Sequence, residues 1–169
     1  MAAGRWQVEQ TFLSVHVAAA EDGRLLVETA SGKHDMRINV LFVCGKNRRR
    51  SPTAEKIFRN DSRINPRSAG TSENSQRRLQ AADFAWAELV VCMERKYVAR
   101  IKNLFPRVEN MPPIEILNIS DEYIFMAPAL VTRLREGMDE VLENYHAERE
   151  AEKAAAAAAA AAGDGNAEE

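Results

Sequence analysis

The sequence predicts an α/β fold, a four-stranded parallel sheet flanked by helices. Three observations predict it. Short apolar runs alternate along the chain with segments of helical period, the pattern of parallel strands joined by crossover helices. The first strong run, "INVLFV" at 38–43, is apolar at nearly every position, as in a strand buried on both faces. The stretch between two atypical ends spans about 105 to 110 residues, enough for one small domain.

The head, residues 1–37, is read as an N-terminal extension. "EQTFLSVHV" alternates in part, "RLLVET" is β-like, and "EDG" between them signals a turn, so a hairpin is one reading. Met36 sits just before the first strong strand, so a mis-assigned start is the other. The domain proper runs over 38–146. After its first strand, "SPTAEKIFRN" opens a helix with Pro at the first turn and puts Ala54, Ile57 and Phe58 on one face. "NPRSAG" predicts a short second strand ending at Gly70, and "RRLQAADFAWA" a short helix. "ELVVCM" is the third strand, with Cys92 and Met93 as core, and Trp86 just before it also as core. "ERKYVARIKNLF" spaces Tyr97, Val98, Ile101, Leu104 and Phe105 as a helical stripe. "PPIEILNI" is the fourth strand. "PALVTRLREGMDEVLENY" sets Val131, Leu134, Met138, Val141 and Tyr145 on a last stripe. Residues 147–169 form an Ala-rich tail with no large apolar side chain, expected to prolong the last helix to about Gly163 and then to be disordered.

Composition narrows the function. The formal net charge is -2, so no global field favours nucleic acid or a membrane surface, and anion selectivity has to be local. No apolar run approaches the roughly 20 residues of a membrane helix. No apolar leader follows Arg5, and two cysteines do not make a disulfide framework; a reducing cytoplasm is the natural setting. His16, His34 and His146 lack ligand spacing, so no metal or other cofactor is expected.

The chemistry gathers in "VLFVCGKNRRRSPTAE" at 40–55. Cys44 and Arg50 form Cys-x5-Arg, a weak signal by itself. Its context is stronger. The Cys ends a strand, at the sheet edge where ligands bind in parallel α/β folds. The loop of Gly45, Lys46, Asn47, Arg48 and Arg49 then enters a helix N-terminus at Ser51-Pro52. Helix-terminal and loop N–H groups make an anion nest, and Arg50 can grip two phosphate oxygens with its planar fork. Such a field favours the thiolate, which is the nucleophile. Attack on phosphorus gives phosphocysteine, with N–H groups and guanidinium rather than a metal steadying the equatorial oxygens. The bland readings are a buried strand-end Cys44, a solvated Arg48 and Arg49, and an ordinary turn at Asn47.

Taken with Ala54, Glu55, "RSAGTS" at 67–72, "AELVVCMER" and "SDEYIFMAP", the stretch resembles the low-molecular-weight protein tyrosine phosphatases, in particular a short bacterial branch of predicted tyrosine phosphatases. The resemblance covers about 38–145. It implies the phosphotyrosine phosphatase I-like sheet of flavodoxin-like topology, Cys44 as nucleophile and Arg50 as phosphate clamp. It also implies Ser51 supporting the thiolate, Asn47 fixing the loop that binds substrate, and Asp121 as general acid and base. The implied substrate is a phosphotyrosine protein or small phosphomonoester. Three positions depart from the family pattern: Glu122 follows the Asp where Pro is usual, Lys46 stands for Gly, and Arg48 stands for an aliphatic wall. Lys46, Arg48 and Arg49 point to an acidic phosphopeptide or another polyanion. Glu94 stands where relatives often carry Asp, as rim support or a solvated side chain.

Two other functions compete. A phosphate-binding or interaction module without catalysis is compatible with the altered acid loop. Arsenate reduction on the same fold needs further cysteines, and Cys92 is the one that remains.

Overall fold

The computed structural model describes residues 37–160 and the backbone of residues 16–19, 25–29, 32–35 and 161–163. The first three strands, β1 (His16–Ala19), β2 (Leu25–Thr29) and β3 (Gly32–Asp35), form an antiparallel sheet in sequence order. The "EDG" turn and the tail beyond Gly163, where disorder was expected, lie outside the described residues. β3 was not read from the sequence.

The main sheet holds β4 (Ile38–Cys44), β5 (Ile64–Gly70), β6 (Leu89–Cys92) and β7 (Ile114–Ile116), all parallel, in the order β5-β4-β6-β7. This is the predicted four-stranded sheet. β4 is central, and Val40, Leu41, Phe42 and Val43 are wholly buried, which accounts for its unbroken apolar run. β5 lies at one edge, where Pro66 removes an N–H that an inner strand would need. Helices α1 (Arg50–Ile57), α2 (Ala81–Trp86) and α3 (Arg95–Leu104) join the strands, and α4 (Pro128–Gly163) follows. The chain steps one way from β4 to β5 and the other way afterwards. Right-handed crossovers therefore put α1 on one face and α2 and α3 on the other. α4 packs against α1.

The structure shifts several predicted boundaries. β5 starts one residue earlier than read. Residues 77–80 are not helical, because Gly70 captures their backbone: it donates to the carbonyl of Arg77 and accepts from the N–H of Leu79. α2 then begins in a capping box between Gln80 and Asp83. The α4 stripe is Leu130, Leu134, Met138, Val141, Leu142 and Tyr145, and Val131 is only half-buried. Beyond Tyr145, every helix side chain described is exposed, as the absence of large apolar residues requires. In α3, Tyr97 and Ile101 are buried but Leu104 is 42% exposed. Cys92 and Met93 are core, whereas Trp86 is half-buried under the guanidinium of Arg67, 3.9 Å from its ring centre. No described helix is long and apolar enough to cross a membrane.

Truncating Leu134, wholly buried on the packed face of α4, should cost about 2–5 kcal/mol of unfolding free energy. Leu104→Ala should cost under about 1 kcal/mol. Urea denaturation of the two variants checks the contrast; equal losses would contradict the stripe described here.

Candidate active site

The site forms at the carboxyl edge of the main sheet, beside its central strand. β4 ends on Cys44, five residues turn back, and α1 begins at Arg50. Asn47 sits at φ 52, a left-handed conformation that Asn tolerates better than most residues. The turn folds the Asn47 N–H back to the Cys44 Sγ at 3.2 Å. Gly70 lets β5 come close from the other side. A Cβ there would stand 2.7 Å from the Gly45 carbonyl oxygen and 2.9 Å from the Asn47 nitrogen. Thr71 N–H then donates to the Cys44 carbonyl, and Ser72 N–H to that of Gly45.

A relay of buried polar groups lies beneath this loop. Ser68 donates to Glu55 Oε2 at 2.5 Å. Asn47 Nδ2 donates to Ser68 Oγ at 2.9 Å and to Ser51 Oγ at 3.0 Å, while Asn47 Oδ1 accepts the Arg77 N–H. With an Oγ lone pair engaged by Asn47, the Ser51 hydroxyl hydrogen is free for Cys44 Sγ at 3.0 Å, closer than its other acceptor, the Ala69 carbonyl at 3.4 Å. The Asn47 N–H and the Ser51 hydroxyl thus both face one sulfur.

Arg50 is 2% exposed, and its guanidinium gathers the ends of three other elements. Nη1 donates to Glu94 Oε1 at 2.5 Å, just after β6, and to the Ile119 carbonyl at 2.6 Å, beyond β7. Nη2 donates to the Tyr97 hydroxyl of α3 at 2.9 Å and pairs with Asp121 Oδ1 at 2.9 Å. Nε has no partner, nor has the buried Thr71 Oγ1; they are the two such side-chain atoms among the described residues. Burial works against the Glu94 charge, but Lys96 and Arg50 outweigh it and hold the carboxyl below its ordinary value. Burial pushes the Cys92 thiol up to about 12.

A cavity of about 370 Å³ opens over this floor. Of the residues singled out in the sequence, Cys44, Gly45, Lys46, Arg48, Arg49, Arg50 and Asp121 line it. Asn47 and Ser51 do not; they lie beneath the loop and reach the site through the Cys44 sulfur. Glu94, one of two readings in the sequence, is a support for Arg50. Thr71, Lys96, Tyr97 and Arg100 also line the cavity, and sequence reasoning missed them. Tyr97 and Arg100 had a readable signal, since α3 must start at the same sheet edge as Cys44. Thr71 had none, because an orphan hydroxyl is visible only in three dimensions. Among the described residues, no cluster of three or more His, Cys, Asp or Glu is placed to hold a metal ion.

No family model and no curated protein matches this sequence. Solved structures do. The YwlE arginine phosphatase from Geobacillus stearothermophilus is 22% identical, with 66% of this chain and 95% of that one covered and a TM-score of 0.50. DARP, the Drosophila arginine phosphatase, is 20% identical, with 63% and 96% covered and a TM-score of 0.50. The tyrosine phosphatase Wzb from Escherichia coli K30 is 17% identical, with 64% and 99% covered and a TM-score of 0.47. At these identities the likeness to the two arginine phosphatases establishes a shared fold alone, that of the low-molecular-weight phosphatases.

The two cysteines should differ sharply toward iodoacetamide at pH 8. Cys44 faces a cavity and should be alkylated in the native protein, with protection by inorganic phosphate; Cys92 should react only after unfolding. Peptide mapping checks this, and native labelling of Cys92 would contradict it. Glu94 has a depressed carboxyl, so its stabilising contribution is complete above its unfolded value near 4.5 and is lost as pH falls through the lower folded value. Glu94→Gln should therefore cost about 1–3 kcal/mol at pH 7, a deficit that shrinks toward pH 3. Denaturation across that range measures it.

Proposed function

We propose that this protein is a Cys-dependent phosphatase that hydrolyses phosphotyrosine through a phosphocysteine intermediate. One observation carries the reading. The Cys44 sulfur receives the Asn47 N–H and faces the Ser51 hydroxyl, at a cavity lined by two residues with unpartnered buried donors, Arg50 and Thr71. Buried donors without partners are costly, and a bound anion is the kind of ligand that supplies missing acceptors.

The roles follow from that geometry. Cys44 Sγ attacks phosphorus in line, and the bond to the leaving oxygen breaks. Arg50 and the loop N–H groups hold the equatorial oxygens, where charge develops. Asp121 rests on Arg50 Nη2, the guanidinium edge a phosphate claims. Its side chain is 67% exposed, so substrate can displace it from Arg50; the freed carboxylate takes up a proton from solvent and delivers it to the leaving oxygen. Ionised again, Asp121 takes a proton from water as that water attacks phosphocysteine. The thiolate then departs, steadied by the Ser51 hydroxyl.

The cavity's charge supports tyrosine over arginine as the phosphorylated residue. Dephosphorylated arginine is a guanidinium cation, whereas tyrosine leaves as a neutral phenol. Six cationic side chains line the cavity against one carboxylate, which disfavours a cationic leaving group.

The test is turnover of p-nitrophenyl phosphate, a phosphotyrosine peptide and a phosphoarginine peptide. Wild type should hydrolyse the first two at mildly acidic to neutral pH and prefer phosphotyrosine to phosphoarginine. Cys44→Ser should abolish turnover, and Asp121→Asn should lower kcat by about 10²–10⁴-fold. Phosphate binding without turnover would establish a binding module instead. Activity surviving Cys44→Ser would overturn the mechanism.

A further inference from the structure

The cavity holds more positive charge than one phosphate ester uses. Lys46, Arg48 and Arg49 of the loop and Lys96 and Arg100 of α3 surround it together with Arg50. Asp121 is the one carboxylate in the lining, and Glu94 beneath it pairs with Arg50 and Lys96. These six cations and two carboxylates leave a surplus of four positive charges, on a chain whose formal net charge is -2. A bound phosphomonoester supplies about -1.5 to -2 at neutral pH, and a thiolate one more. Charge is left for a further anionic group.

The surplus also has a location. Lys96 and Arg100 stand one turn apart on α3, on the face that carries Tyr97, whose hydroxyl bonds Arg50. Lys96 is already held by Glu94 at 2.7 Å. Arg100 has no ion-pair or hydrogen-bond partner among the described residues. Its guanidinium fork suits a carboxylate or phosphate.

We propose that α3 supplies a second anion subsite with Arg100 as its anchor, so that the preferred substrate is a phosphomonoester bearing a second anionic group close to the phosphate. This rests on the hydrolytic reading above. The cavity is small for a ligand pocket, so both groups belong to neighbouring parts of one molecule. The second group is either an acidic side chain next to phosphotyrosine in a peptide or a carboxylate on a small aryl phosphate.

Two matched pairs of substrates separate these sources: phosphotyrosine peptides flanked by Glu or by Ala, and 4-(carboxymethyl)phenyl phosphate against phenyl phosphate. The readout is the ratio of kcat/KM, acidic over neutral, within each enzyme variant. Wild type should favour the acidic member of at least one pair by about tenfold at low salt, with the ratio falling as salt screens the contact. Arg100→Ala should bring the ratio to within about twofold of unity, and Arg100→Lys should restore part of it. A preference confined to the peptide pair assigns an acidic side chain, and one confined to the aryl pair assigns a small ester. Ratios near unity in wild type for both pairs, or a preference intact in Arg100→Ala, overturn the subsite. Absence of p-nitrophenyl phosphate turnover by wild type would instead overturn the hydrolytic reading beneath it.

Discussion

A guanidinium shut away from water governs the architecture of this site. Arg50 is 2% exposed, and a cation so placed is tolerated only with partners on every side that water has left. Those partners come from far along the chain: Glu94 after β6, Tyr97 on α3, and Ile119 and Asp121 beyond β7. One side chain at the start of α1 thereby ties together the carboxyl ends of three strands. The unpartnered Nε is the exception, and it belongs to a residue that lines the cavity.

The loop above Arg50 depends on a second set of contacts, built from small residues and side-chain hydrogen bonds. Gly70 admits β5 to within contact of the turn, and Asn47 takes the left-handed conformation that closes it. The hydroxyls of Ser51 and Ser68 and the Asn47 amide then form an unbroken chain from Glu55 to the Cys44 sulfur. Each of these buried groups has its partner, which is what makes a polar network in a core rigid. The cavity wall is different in kind. Its outer cations are exposed, and Lys46, Arg48, Arg49 and Arg100 make no ion pair among the described residues. On the function proposed above, the floor holds the phosphate and the rim selects what the phosphate is attached to.

Much of this was legible one element at a time. The run at 38–43 read as a doubly buried strand because the central position leaves it no solvent face. Cys44, Arg50 and Ser51 read as a cradle because a strand, a tight loop and a helix start adjoin in sequence. The misreadings share a cause. The composition of residues 77–80 allows a helix, but Gly70 pairs with their backbone. Leu130 stands in the α4 stripe in place of Val131 because packing against α1, not average periodicity, sets the rotation of the helix. Tyr97 looked like pure core, and its hydroxyl reaches Arg50.

By itself the sequence determined the fold class, the order of the four parallel strands' elements along the chain, and a Cys-x5-Arg loop at a strand's end. Those features rest on local propensity, burial pattern and short spacing, which a chain carries in its linear order. The tertiary structure alone decided that Glu94 and Tyr97 hold Arg50, that Thr71 has a buried hydroxyl to offer, and that Arg100 joins the loop cations around one cavity. Those residues lie 21 to 50 positions beyond Arg50, and only the closing of parallel strands side by side brings such distant groups to one site.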